Sequence, residues 1–174
     1  MRPIHLRFAG IGPYPGEVDI DFRTLNAKGL YLIVGPTGAG KTTILDAMTY
    51  ALYGKVPSDR EGSLSSLHPD SSRPFVEFEF AHRDRSYKIR REPGLPNKQT
   101  QTNKQSIRMF DAAGTEIDTK VGTTQVNSEC QAITGLTADE FAQVIHAHLH
   151  MVEARRPLLW YVKVNRIPHK TLTA

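Results

Sequence analysis

Gly35-Pro36-Thr37-Gly38-Ala39-Gly40-Lys41-Thr42 gathers the groups that hold a chain of phosphates: flexible glycines, one ammonium and one hydroxyl within eight positions. It fits the pattern G-x-x-x-x-G-K-[ST] without deviation. Glycines at 35, 38 and 40 admit backbone conformations closed to other residues and let main-chain N–H groups approach phosphate oxygens. The positive end of a following helix would complete an anion cradle. Lys41 would reach the β- and γ-phosphates and stabilise charge on a transferring phosphoryl group, which makes it the candidate catalytic residue. The Thr42 hydroxyl is the candidate ligand of a magnesium ion bridging those phosphates. Thr43 can donate a further bond near the α-phosphate. The expected cofactor site is therefore Gly35, Pro36, Thr37, Gly38, Ala39, Gly40, Lys41, Thr42 and Thr43, and the expected ligands are ATP and Mg2+.

Such a loop works only between a strand and a helix, and the flanks supply both. Leu30-Tyr31-Leu32-Ile33-Val34 is a continuous apolar run, as expected of a strand covered on both faces. From Thr42 to Tyr53, Ile44, Leu45, Met48, Ala51 and Leu52 recur at spacings of three and four, which predicts an amphipathic helix. Gly54 stands where its C-terminal stop belongs.

Around this unit the pattern turns to period two. Ile4 to Ala9 and Glu17 to Phe22 alternate apolar and polar residues across a Gly/Pro-rich turn, which predicts an antiparallel pair. Phe75 to Phe80 alternates strictly, and Ser86 to Arg91 is its expected hairpin partner. Ser106 to Phe110 predicts a short strand, Asp111 to Gly114 a turn, and Thr123 to Ile133 a helix. Thr137 followed by Glu140 has the form of a capping box. Pro57 to Arg73 is expected to be a surface loop, and Glu92 to Gln105 a mobile excursion.

The 174 residues suit one domain or part of one, with 39% hydrophobic and 23% charged residues. A formal charge of +4 permits a nucleic-acid partner without demanding one. Lys88, Arg90 and Arg91, with Lys98, Lys104 and Arg108, could meet a phosphate backbone or form a solvated basic face. The single cysteine, Cys130, excludes an internal disulfide and a cysteine-based zinc site and reads as a small packed side chain. No apolar run approaches the roughly 20 residues that span a bilayer. The expectation is thus a cytoplasmic protein with no membrane partner. His146, His148 and His150 would share one face of a strand and could hold zinc, but no carboxylate or supporting pattern accompanies them.

Several stretches together resemble the N-terminal ATPase segment of the SbcC family, the large subunits of SbcCD exonucleases and relatives of the structural-maintenance-of-chromosomes (SMC) ATPases. They are Ile11-Gly12-Pro13-Tyr14, Val18 to Phe22, Gly29 to Ala47, Ala51-Leu52-Tyr53-Gly54, the strand pair Val76 to Phe80 and Tyr87 to Arg91, Ile133-Thr134-Gly135-Leu136 and Phe141 to Ile145. The resemblance implies an α/β fold: a P-loop NTPase, the N-terminal lobe of an ABC-type ATPase head, with an antiparallel β subdomain over residues 1–145. It implies an SbcD-like nuclease subunit, double-stranded DNA ends and a second ATPase head as partners, and a role in DNA double-strand-break repair.

The family continues after Ile145 with apolar residues and Pro-Gln-Gly, whereas here Ile145-His146-Ala147-His148-Leu149 follows, with Leu149 at the glutamine's place. Residues 146–174 read as an atypical tail, and the sequence leaves both a folded and an unfolded tail open. Two origins stay open: a shifted frame or truncated gene, which the abrupt break favours, and a short protein with its own ending. No strand of four apolar residues followed by Asp-Glu occurs, so hydrolysis by this chain alone is expected to be incomplete. The alternatives are a nucleotide-binding module or inactive fragment without turnover, and a small-molecule kinase, for which no arginine-rich lid stands out.

Overall fold

In the computed structural model the residues described are 1–24, 32–33, 40–55, 74–93, 104–141, 143 and 161–162. Six strands form one antiparallel sheet: β1 (Arg2–Ala9), β2 (Val18–Asp21), β4 (Phe75–His82), β5 (Arg85–Glu92), β6 (Lys104–Phe110) and β7 (Glu116–Val121). Their order is β2-β1-β4-β5-β6-β7. A separate parallel pair joins β3 (Leu32–Ile33) to β8 (Tyr161–Val162). The helices are α1 (Lys41–Tyr53) and α2 (Thr123–Thr134).

Alternation explains the large sheet. Leu6 and Phe8, Val18 and Ile20, Val76, Phe78 and Phe80, Tyr87 and Ile89, and Ile107 and Met109 are all buried on one face. The register keeps them aligned, with Leu6 opposite Phe78, Phe78 opposite Ile89, and Ile89 opposite Ile107. Burying each of these larger side chains contributes about 1.5–3 kcal/mol. Helix α1 covers this face with Ile44, Ala47, Ala51 and Leu52, and α2 closes the side with Val126, Cys130 and Ile133.

The opposite face holds charged ladders. Lys88 Nζ lies 2.8 Å from Glu77 and 2.7 Å from Glu79. Arg90 pairs with Glu92 at 2.9 Å and lies 4.5 Å over the Phe75 ring, and Arg108 pairs with Glu116 at 3.2 Å. Burial pushes the Glu77 carboxyl up, but the Lys88 bond and the charges of Lys88, Arg90 and Arg7 outweigh it and hold it below the usual carboxylate range. Three of the residues expected on a basic face, Lys88, Arg90 and Arg108, are therefore each paired with a carboxylate.

Most predicted elements are present within a residue or two. β7 was not expected, because most of its residues are exposed and it lacks apolar alternation; it is the edge of the sheet. Lys104 and Gln105, expected in an excursion, pair with Glu92 and Arg91 in β6. Gly54 takes the left-handed conformation at φ 70° and donates its N–H to Tyr50 O at 2.8 Å, ending α1 as its sequence position implies. The Thr137–Glu140 capping box forms in both directions: the Thr137 N–H donates to Glu140 Oε2 at 2.7 Å, and the Glu140 N–H donates to Thr137 Oγ1 at 3.3 Å.

Candidate functional site

The phosphate-loop motif meets α1 at its last residues. Gly40 is the N-cap, at φ 76° and ψ 17°, and Lys41, Thr42 and Thr43 make the first turn. Gly35, Pro36, Thr37, Gly38 and Ala39 lie outside the described residues. The helix start is unusual for a protein surface. Most helices cap their first N–H groups with Ser, Thr, Asp or Asn and favour acids in the first turn. Here the cap is a glycine with no side-chain bond to the helix, the first turn holds no acid, and its first residue is a lysine. Helix dipole and ammonium have the same sign at this end, so the arrangement suits an anion.

Two contacts fix the geometry of this end. The β1–β2 loop folds against it, held by reciprocal main-chain bonds between Ile11 and Tyr14 at 3.1 and 3.3 Å. The Tyr14 ring packs edge-on against Phe8, with centroids 5.5 Å apart, and lies over Gly40. A Cβ on Gly40 would meet ring carbons and the hydroxyl of Tyr14 at 2.6–2.8 Å. Gly12, at φ 51°, approaches Thr43 so closely that a Cβ there would lie 2.9 Å from Thr43 Cγ2. Thr43 is buried, while Lys41 and Thr42 are half-buried. The match of Ile11-Gly12-Pro13-Tyr14 to a family pattern thus has a physical content that the sequence did not disclose: this turn braces the helix that carries the lysine.

Gly40→Ala should therefore cost about 1–3 kcal/mol, from left-handed backbone strain and the approach to Tyr14. Urea unfolding checks this. Adding Tyr14→Ala to Gly40→Ala should recover only the ring-contact share, because the positive φ persists.

At the other end of α1 lies a residue whose role differs from its sequence-based reading. Arg91 was expected on a basic surface, yet it is fully buried. Its Nε donates to Ala51 O at 2.6 Å, and Nη2 donates to Leu52 O at 2.9 Å and to Asn127 Oδ1 at 2.8 Å. Nη1 donates to Gln105 Oε1. Burial pulls the guanidinium below its ordinary value. Arg91 satisfies carbonyls that the helix leaves unpaired and ties α1 to β5, β6 and α2. The signal was available: Tyr87, Ile89 and Arg91 share one parity, so Arg91 belongs to the core face.

Cys130 is fully buried, and burial pushes its thiol up to about 11, consistent with a packing role. His146, His148 and His150 lie outside the described residues, and among the described residues no cluster suits a metal ion. No described helix is long and apolar enough to cross a membrane.

A phosphate-loop motif running into α1, beside an antiparallel sheet, is the arrangement of the N-terminal lobe of an α/β P-loop NTPase fold. The AAA domain model matches residues 5–152, and the chain belongs to that family. Within it the chain corresponds to an N-terminal segment of SbcC. It is 34% identical over 147 residues to the SbcC component of the SbcCD nuclease of Clostridium acetobutylicum, covering 83% of this chain and 13% of that protein. It is 36% identical over 151 residues to the SbcC component of the SbcCD nuclease of Staphylococcus aureus strain MRSA252, covering 83% of this chain and 15% of that protein. The chain therefore spans about a seventh of the length of these relatives. Among solved structures, it is similar to a chain from a study of ATP-driven dimerization and DNA-stimulated activation of SMC ATPases. That likeness has a TM-score of 0.45 and 16% identity, covering 91% of this chain and 94% of the other. It is also similar to an SMC head bound to the C-winged helix domain of ScpA, with a TM-score of 0.42 and 17% identity, covering 80% and 42%.

Proposed function

We propose that this chain is the ATP-binding N-terminal lobe of an SbcC-like DNA-repair ATPase, cytoplasmic, acting with an SbcD-like nuclease subunit and a second head on double-stranded DNA ends. The observation that carries this reading is the start of α1. An uncapped, acid-free helix end bearing Lys41 and Thr42 directly follows the glycine-rich motif, within a family of ATPases. Main-chain N–H groups from Gly35 to Thr43 would cradle the phosphates, and Lys41 would lie against the β- and γ-phosphates. Thr42 offers the oxygen donor that a hard divalent cation takes. Magnesium, when bound, would bridge the phosphate oxygens and neutralise part of their charge.

Binding and turnover separate on this reading. Residues 1–145 form the binding lobe, and the acidic strand motif that hydrolysis needs, four apolar residues followed by Asp-Glu, does not occur in this sequence. Calorimetric titration of the full chain with ATP and Mg2+ should give saturable binding, with phosphate release near background. Adding a C-terminal SbcC-like half should raise phosphate release. Absence of any binding heat would overturn the reading. Steady release by the isolated chain at enzyme-like rates would overturn the division between binding and turnover.

A further inference from the structure

The chain contains two uninterrupted runs of five apolar residues, Leu30–Val34 and Leu158–Val162. The structure pairs residues of these two runs with each other. β3 and β8 run parallel, with Leu32 opposite Tyr161 and Ile33 opposite Val162. The first run leads into the phosphate loop and lies within the family match. The second lies beyond residue 152, where the match ends.

Parallel strands occur almost only where both faces are covered, and such strands read as continuous apolar runs. A strand like β3 therefore needs a neighbour of its own kind, and an open edge would offer unpaired N–H and C=O groups to other chains. The six-stranded sheet does not supply that neighbour, since β3 is not among its members. Among the described residues β3 pairs with β8 alone.

We infer that the tail is a self-docking strand: β8 pairs in cis along the edge of β3 and occupies the place where an apolar strand from another chain would add. The tail thereby shields the strand that leads into the phosphate loop and competes with any strand offered in trans. This does not depend on whether the loop binds nucleotide.

The test places thiols at register partners in the full-length chain, Ile33→Cys with Val162→Cys. Dibromobimane, which fluoresces on bridging two close thiols, is the probe; neighbouring strands lie about 4.8 Å apart. Cys130 is buried and stays in place, and single-cysteine variants serve as controls. The expected result is a fluorescent product at monomer mass, at least tenfold brighter than either single-cysteine variant. No fluorescence, or a product at dimer mass, overturns docking in cis. A second measurement needs no new thiols: hydrogen exchange of residues 32–33 in the full chain, compared with Tyr161→Pro. Proline removes an N–H and disfavours the pairing, so exchange should speed up at least tenfold. Unchanged exchange overturns the inference.

Discussion

Lys41→Ala should weaken binding of ATP with Mg2+ by about ten- to a hundredfold while changing the unfolding free energy of the nucleotide-free chain by less than about 1 kcal/mol. The two numbers come from different terms. A charge-assisted bond from an ammonium to phosphate contributes about 1.5–3 kcal/mol, because the acceptor is ionised and partly desolvated. Without the anion, Lys41 occupies the first position of α1, where a cation opposes the helix dipole by about 0.3–1 kcal/mol. Lys41 also makes a contact of its own within the fold, and for a half-buried side chain that contact contributes under about 1 kcal/mol, so the two terms largely offset each other. Lys55 provides the control: it stands just past the other end of α1, pairs with Asp139 at 3.0 Å and is exposed. Lys55→Ala should leave nucleotide affinity unchanged, as expected of a surface ion pair. Fluorescence titration with a labelled ATP analogue reads the affinity, and urea unfolding reads the stability. Equal affinity in Lys41→Ala and the unmodified chain would remove the phosphate-loop assignment.

What could be read in the sequence follows from how local each cause is. β4 and β5 were legible because Val76, Phe78, Phe80, Tyr87 and Ile89 alternate without interruption, and α1 because its stripe and Gly54 lie within one short segment. The capping box at Thr137 was legible for the same reason. β7 was not, since an edge strand with Glu116, Ile117 and Asp118 exposed carries no buried face to generate a pattern. At the site, the lysine and hydroxyls declare themselves by motif. Their bracing by Tyr14 over Gly40 and Gly12 against Thr43 is tertiary, and joins residues more than two dozen positions apart. The β3–β8 pair is more distant still, and only the matching character of two apolar runs hints at it.

Arg91 is the case in which the residue type misled and the position was informative, and it carries the largest expected effect on stability. Arg91→Leu should cost about 3–5 kcal/mol, since it strands the carbonyls of Ala51 and Leu52 and the side chains of Gln105 and Asn127 in the interior. For a chain of this size that corresponds to a fall in Tm of roughly 10 °C. Arg91→Lys should cost less but remain destabilising, because one ammonium cannot reproduce a planar fork that reaches four acceptors. Arg90→Ala, one residue away on the opposite face, should cost less, about 1–2 kcal/mol, because its pairs with Glu92 and Glu77 and its place over the Phe75 ring are reached by solvent from its own side. The contrast between adjacent arginines is the discriminating measurement. Similar losses at both positions would mean that Arg91 is not the tie between the C-terminal end of α1 and its neighbours. A large loss confined to Arg91 would mean that the helix bearing Lys41 is anchored at its far end by a buried cation that takes up the carbonyls of its last turn.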